Sequence, residues 1–277
     1  MKKTTSLLIS AIATTITFSA AAEPAVKPLK ALLVIGGCCH DYATQKDILE
    51  AGIEARANIQ VDVCYSADKT TKATFTCYEK DSWAEGYDVV IHDECSADIK
   101  DLAVVNRILE PHRKGVAGVN LHCAMHCYRT SADFGKPLES GTDGSLWFDY
   151  LGLQSSGHGK QLPIDVSYVD PGSPITQGFA NWTTIQEELY NNIRIHDSAK
   201  AVARGKQGST ETVIAWTNEY GEKKTRVFST TLGHNNETVS DARYLDFVTR
   251  GLLWACDKLD KGGKPLAGYG RIAAAVK

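Results

Sequence analysis

Within six residues, His122, Cys123, His126 and Cys127 offer two imidazoles and two thiols, side chains that ligate transition metals or act as nucleophiles and proton carriers. If the backbone there is α-helical, the four-residue spacing puts His122 and His126 on one face, as a metal-ligand pair requires. Three other places supply similar groups. His40 and Asp41 follow Gly36-Gly37-Cys38-Cys39, His92, Asp93 and Glu94 follow the apolar run Tyr87 to Ile91, and His234 follows Gly233. In Ile185-Gln-Glu-Glu-Leu-Tyr190, a period of two puts Glu188 and Tyr190 opposite Ile185, Glu187 and Leu189. Gathered together, such groups hold a divalent cation such as zinc or manganese and leave a His or Glu to move a proton. The expected ligands are His40, His122, His126 and His234. His122, Glu188, His92 and Asp41 are the expected catalytic residues, and Tyr190, Trp147, Glu94 and Asn120 the expected substrate contacts.

Gathering them is the task of the elements. Lys30 to Ile35 is a continuous apolar run ending in two glycines, the pattern of a central parallel strand that stops in a tight turn. Ala43 to Ala57 is amphipathic at helical spacing, Ile59 to Tyr65 alternates as a strand, and Tyr87 to Ile91 is a third strand. A helix over Ile99 to His112 leads into the strand Val116 to Leu121. In parallel α/β sheets ligands bind at the carboxyl edge, and three of these strands end there in His-bearing segments. Beyond Thr130 the pattern loosens. Ser131 to Gly144 reads as a loop able to act as a lid, Ile164 to Val169 as a strand, and His158, between two glycines, as a solvent-facing loop residue. Glu211 to Thr217 and Lys224 to Thr231 form a hairpin through Asn218-Glu-Tyr-Gly221, and Asp241 to Lys258 forms an amphipathic helix. The glycines do not make the Gly-x-Gly-x-x-Gly dinucleotide fingerprint.

The 277 residues are 43% hydrophobic and 23% charged with a net charge of −3, a globular composition without the clustered Lys and Arg of a nucleic-acid surface. Lys2 and Lys3 precede an uncharged run from Leu7 to Ser19 and then Ala20-Ala21-Ala22, which reads as a secretory signal over residues 1–22. One domain, 23–277, is expected after its removal, secreted or periplasmic and without a membrane span. In that compartment the eight cysteines can pair, with Cys64 and Cys77 the easiest loop to close.

Several strings together resemble the trehalose-utilisation ThuA-like family of the class I glutamine-amidotransferase-like superfamily. They are Val34-Ile-Gly-Gly-Cys-Cys-His-Asp41, Asp88-Val-Val-Ile-His92, Gly118-Val-Asn-Leu-His122, Glu187-Glu-Leu-Tyr190, Val227-Phe-Ser-Thr-Thr-Leu-Gly-His234 and Arg250-Gly-Leu-Leu-Trp254. The resemblance implies an α/β, flavodoxin-like three-layer sandwich with a mostly parallel central sheet, to which the hairpin region is added. Where amidotransferases carry a Gly-x-Cys-x-Gly elbow this chain has His122 and no flanking glycines, which disfavours glutaminase chemistry. The family association implies a sugar substrate, with a 3-keto-glycoside made by a partner oxidoreductase and cleaved by metal-assisted β-elimination or hydrolysis as the expected case. A sugar-binding protein stacking ligand on Trp147, Tyr150, Trp182 and Trp216, a metallohydrolase of another glycoside or ester, and a thiol enzyme using Cys123 or Cys39 are the alternatives.

Overall fold

A computed structural model describes residues 26–271, so the expected signal segment lies outside the described residues. The strands are β1 (Leu29–Gly37), β2 (Ile59–Ser66), β3 (Val89–Cys95), β4 (Ala117–Leu121), β5 (Leu153–Tyr168), β6 (Trp182–Ile195), β7 (Lys200–Gln207), β8 (Thr210–Tyr220) and β9 (Thr225–Thr230). The helices are α1 (Tyr42–Glu54), α2 (Leu102–Arg113), α3 (Leu146–Leu151), α4 (Asn236–Ser240) and α5 (Ala242–Ala255). Among the described residues one sheet has the order β2-β1-β3-β4-β9-β8-β7-β5-β6.

The expectation of a mostly parallel sheet needs correction. β2, β1, β3, β4 and β9 pair in parallel, but the other four of the eight pairings, from β9 through β8, β7 and β5 to β6, are antiparallel. What reads as an added hairpin is nearly half of the sheet.

The parallel half is covered on both faces, which is why its strands are apolar without alternation. On β1, Ala31, Leu33 and Ile35 join the core containing Leu49 and Ile53 of α1 and Val248 and Leu252 of α5. Leu32 and Val34 join the opposite core, with Val105 and Ile108 of α2 and Trp147 and Phe148 of α3. The layers are therefore helix, sheet, helix. Asp101 and Asp241 start α2 and α5 by accepting backbone N–H bonds at 2.8 Å from Ala103 and Arg243, caps worth about 1 kcal/mol each. No helix among the described residues is long and apolar enough to cross a membrane. Cys64 and Cys77 form the expected disulfide.

α5 approaches β9 closely because Gly251 has no side chain: a Cβ there would sit 2.3 Å from a ring carbon of the fully buried Phe228. Gly251→Ala gains about 1 kcal/mol of helix propensity but overpacks a closed core at a cost of about 1–3 kcal/mol. A lower melting temperature is the expected result, and a raised one would show that Phe228 yields freely.

Candidate functional site

Three strand ends and one long antiparallel strand build the site. β1 ends at Gly37, whose φ of 104° carries the chain over the sheet edge to Cys38, Cys39 and His40. β4 passes at Leu121 into a 3-10 turn, His122–His126. β9 is followed by Gly233 and His234, and β6 brings Glu188 from the antiparallel half.

The His40, His122 and His234 nitrogens lie within 4.8 Å of one another. Ring centroids are 4.7 Å apart for His40 with either neighbour and 5.4 Å for His122 with His234. His122 Nδ1 donates to the Thr231 carbonyl at 2.6 Å, which leaves Nε2 as the lone-pair nitrogen. His122 Nε2, His40 Nδ1 and His234 Nδ1 are buried and have no hydrogen-bond partner. The Glu188 carboxylate faces two of them, at 3.4 Å from His122 Nε2 and 3.3 Å from His234 Nδ1. Polar atoms buried without partners cost free energy. Three imidazoles and a carboxylate form the donor set that borderline divalent cations prefer, so these residues fit a metal.

The electrostatics set one anion, Glu188, against imidazoles that respond to it differently. Burial, reinforced by His122 and His234, pushes His40 down to about 3. Burial alone would raise Glu188, but its contacts with His122 and His234 outweigh that and hold the carboxyl well below the usual range. The Glu188 contact in turn raises His234.

A cavity of about 410 Å³ opens over the cluster, with His40, His126, His158, Glu188, Tyr190 and His234 among its walls. Tyr190, expected as a substrate contact, lines this cavity with its hydroxyl buried and unpartnered. His126 lines the cavity but is no member of the imidazole triple. Its Nε2 lies 2.9 Å from Ser155 Oγ and its ring stacks on Tyr190 at 4.3 Å. The reason is the turn type: at three residues per turn, position i+4 is rotated roughly 120° from position i rather than lying above it.

Four other expected site residues belong to the core. His92 and Glu94 are fully buried and bonded to each other at 2.9 Å, with Glu94 also accepting the hydroxyls of Tyr78 and Tyr128 at 3.0 and 2.8 Å. Asn120 is buried and donates to Ser229 Oγ at 3.1 Å. Trp147 is 1% exposed and donates to the Ala124 carbonyl; with Trp216 and Tyr150 equally buried, the stacking platforms of a binding protein are largely gone. Asp41 is exposed and accepts from Asn236 Nδ2 at 2.8 Å, outside the cavity.

Three contributors were not expected. His158 is no loop residue: it sits on the bulged β5 strand with Nε2 3.5 Å from Glu188. Gln161, also on β5, donates to Glu188 at 3.3 Å. Glu187 is fully buried and accepts the backbone N–H groups of Gly233 and His234, fixing the loop that delivers His234. The adjacent glutamates Glu187 and Glu188 are the only hint of this in the chain.

A family model described as "ThuA: Trehalose utilisation" matches residues 30–255. No curated protein matches the chain. Among solved structures, a protein described as ThuA-like from Parabacteroides merdae is 20% identical with a TM-score of 0.60, covering 89% of this chain and 98% of its own. Another so described, from Bacteroides uniformis, is 14% identical with a TM-score of 0.59 and the same coverage. A Thermoplasma acidophilum protein described as a candidate component of GMP synthase is 11% identical with a TM-score of 0.51, covering 83% of this chain and 94% of its own. At these identities the likeness is one of fold.

Proposed function

This chain belongs to the ThuA, trehalose-utilisation, family, and from that premise we propose that it is an exported carbohydrate-active enzyme that cleaves 3-keto-glycosides. The observation that carries the reading is the set of three buried, unpartnered imidazole nitrogens, two of them facing Glu188, beneath an open cavity. His40, His122 and His234 would hold a divalent metal, with Glu188 completing the set. Such a metal supplies an electrophile for a developing enolate oxygen.

The chain's own residues account for the rest. A ketone at C3 acidifies the C2 proton, and its removal lets the C1–oxygen bond break as a C1–C2 double bond forms, the departing oxygen taking up a proton. Glu188 is held too far below the usual carboxylate range to be a strong base and serves better to bind and orient. His158, 40% exposed and 3.5 Å from Glu188, would take that proton. Tyr190 offers its free hydroxyl to a sugar oxygen, and its stacking on His126 keeps the ring fixed. A partner oxidoreductase acting at C3 would supply the substrate.

The test is cleavage of a 3-keto-disaccharide by protein as purified, after chelation, and after zinc or manganese is returned. Loss on chelation and recovery with metal are expected. Undiminished cleavage by chelated protein removes the metal, and no cleavage by metal-loaded protein removes the substrate class.

A further inference from the structure

Beside the imidazoles, the same sheet edge carries a chain of sulfurs. Cys38 and Cys39, neighbours in sequence, are disulfide-bonded. Cys95 and Cys123 are free and buried. Cys95 lies opposite Gly37 in the β1–β3 register, so the residue leaving β1 emerges directly against it. The Cys95 and Cys38 sulfurs are 3.2 Å apart, and the Cys38, Cys39 and Cys95 sulfurs all fall within 4.8 Å of one another.

A disulfide sulfur carries no proton, so in this contact Cys95 is either the donor or a thiolate. Once Cys95 has given up its proton, the contact is the reactant arrangement of thiol–disulfide exchange, in which a thiolate attacks one end of a disulfide and expels the other. We propose that Cys95 and the Cys38–Cys39 bond form an internal exchange site that exposes or withdraws a reactive thiol at Cys39, on the rim of the cavity. In the step, the Cys95 sulfur bonds to the Cys38 sulfur, the Cys38–Cys39 bond breaks, and Cys39 leaves with the electron pair. The proton given up by Cys95 ends on Cys39. No outside oxidant or reductant enters, because one disulfide and one thiol are present before and after.

The placement gives the exchange a direction that can be read. Cys38 is 9% exposed and Cys95 5%, whereas Cys39 is exposed, so the forward step moves a thiol from the interior to the surface. A hydrogen bond from Cys123, with the Arg129 guanidinium nearby, holds the Cys95 thiol below its ordinary range, which favours it as the attacking sulfur. Cys39 is also the residue before His40, so a group captured on its sulfur sits beside the proposed metal ligands. The ligand class is a thiol-reactive small molecule, either an electrophile or a low-molecular-weight disulfide.

The experiment alkylates native, unreduced protein with N-ethylmaleimide, digests it, and maps linkages and labels by tandem mass spectrometry. Wild type is expected to yield peptides joining Cys38 to Cys95 with the label on Cys39. Cys95→Ser is expected to keep Cys38–Cys39 and to lower Cys39 labelling at least about tenfold. Label on Cys95 alone in wild type, or Cys39 labelling unchanged in Cys95→Ser, overturns the proposal. Should Cys95→Ser fail to fold by circular dichroism, Cys39→Ser decides instead. Treated with oxidised glutathione, it first forms a mixed disulfide at Cys38 or Cys95, and the remaining thiol then displaces glutathione to close Cys38–Cys95. Glutathione retained on one cysteine with the other still free would contradict the contact.

Discussion

His122→Ala is expected to reduce bound metal from about one equivalent to a small fraction and to lower keto-glycoside cleavage by more than about 100-fold, since changes even to outer-shell partners cost 10–100-fold. The fold should survive. His122 is buried, but its neighbours on the cavity side are other site residues, and its φ of 38° is one that Ala tolerates at a cost of about 1 kcal/mol. His40, His234 and Glu188 remain, and with three donors in place of four they hold the metal more weakly. Elemental analysis beside circular dichroism separates the outcomes. Full metal content in a folded variant would place any metal elsewhere, and metal lost together with the fold would show that His122 holds up the β4 end instead.

Glu94→Ala should leave the site chemistry alone and strike stability. Its Oε1 is the meeting point of Tyr78, Tyr128 and His92, all buried, and His92 Nε2 continues to His112 Nε2 at 3.0 Å, whose Nδ1 donates to the Val116 carbonyl at 2.8 Å. Removing one member of a buried ionic network leaves the others unsatisfied at a cost of about 3–5 kcal/mol, roughly 10 °C in melting temperature for a domain of this size. The same network predicts acid lability. Burial pushes His112 down to about 3, so below its ordinary value near 6.5 the unfolded chain binds a proton that the folded chain refuses. This contribution is fully present above about pH 6.5 and is lost as pH falls toward 3, by up to about 1.4 kcal/mol per pH unit. Melts from pH 7 to pH 4 in wild type and Glu94→Ala measure both effects, and a variant within 2 °C of wild type at pH 7 would refute the network's role.

How far the sequence could be read depended on whether a pattern was local. The strands with continuous apolar runs and the three long helices lie close to where periodicity puts them: α1 is Tyr42–Glu54 against an expected 43–57, and α5 is Ala242–Ala255 against 241–258. β5 was only half visible. Its sixteen residues carry four register shifts, and each bulge breaks the alternation that marks a strand, so His158 passed for a loop residue. His40, His122 and His234 were legible because each follows an apolar run at a strand end, and Glu188 because the period of two within its strand sets it opposite the apolar side. His92 and Glu94 follow such a run too, yet their strand continues to Cys95 and their partners lie in other elements. A polar residue satisfied inside the core and one turned toward a cavity look alike until those partners are known.

The pairing of β4 with β9 has a consequence for how the chain is made. Asn120 and Ser229, hydrogen-bonded across that pair, are 109 residues apart, and the whole antiparallel half is synthesised between them. A nascent chain that has reached Leu121 holds four parallel strands whose β4 edge, interior in the finished sheet, is open, and an open edge invites pairing with another chain. That edge stays bare until about a hundred further residues have been made, and closing so long a loop is slow. The interval before β9 docks is therefore when misassembly threatens most, and when binding by a chaperone that covers strand edges should matter most to yield.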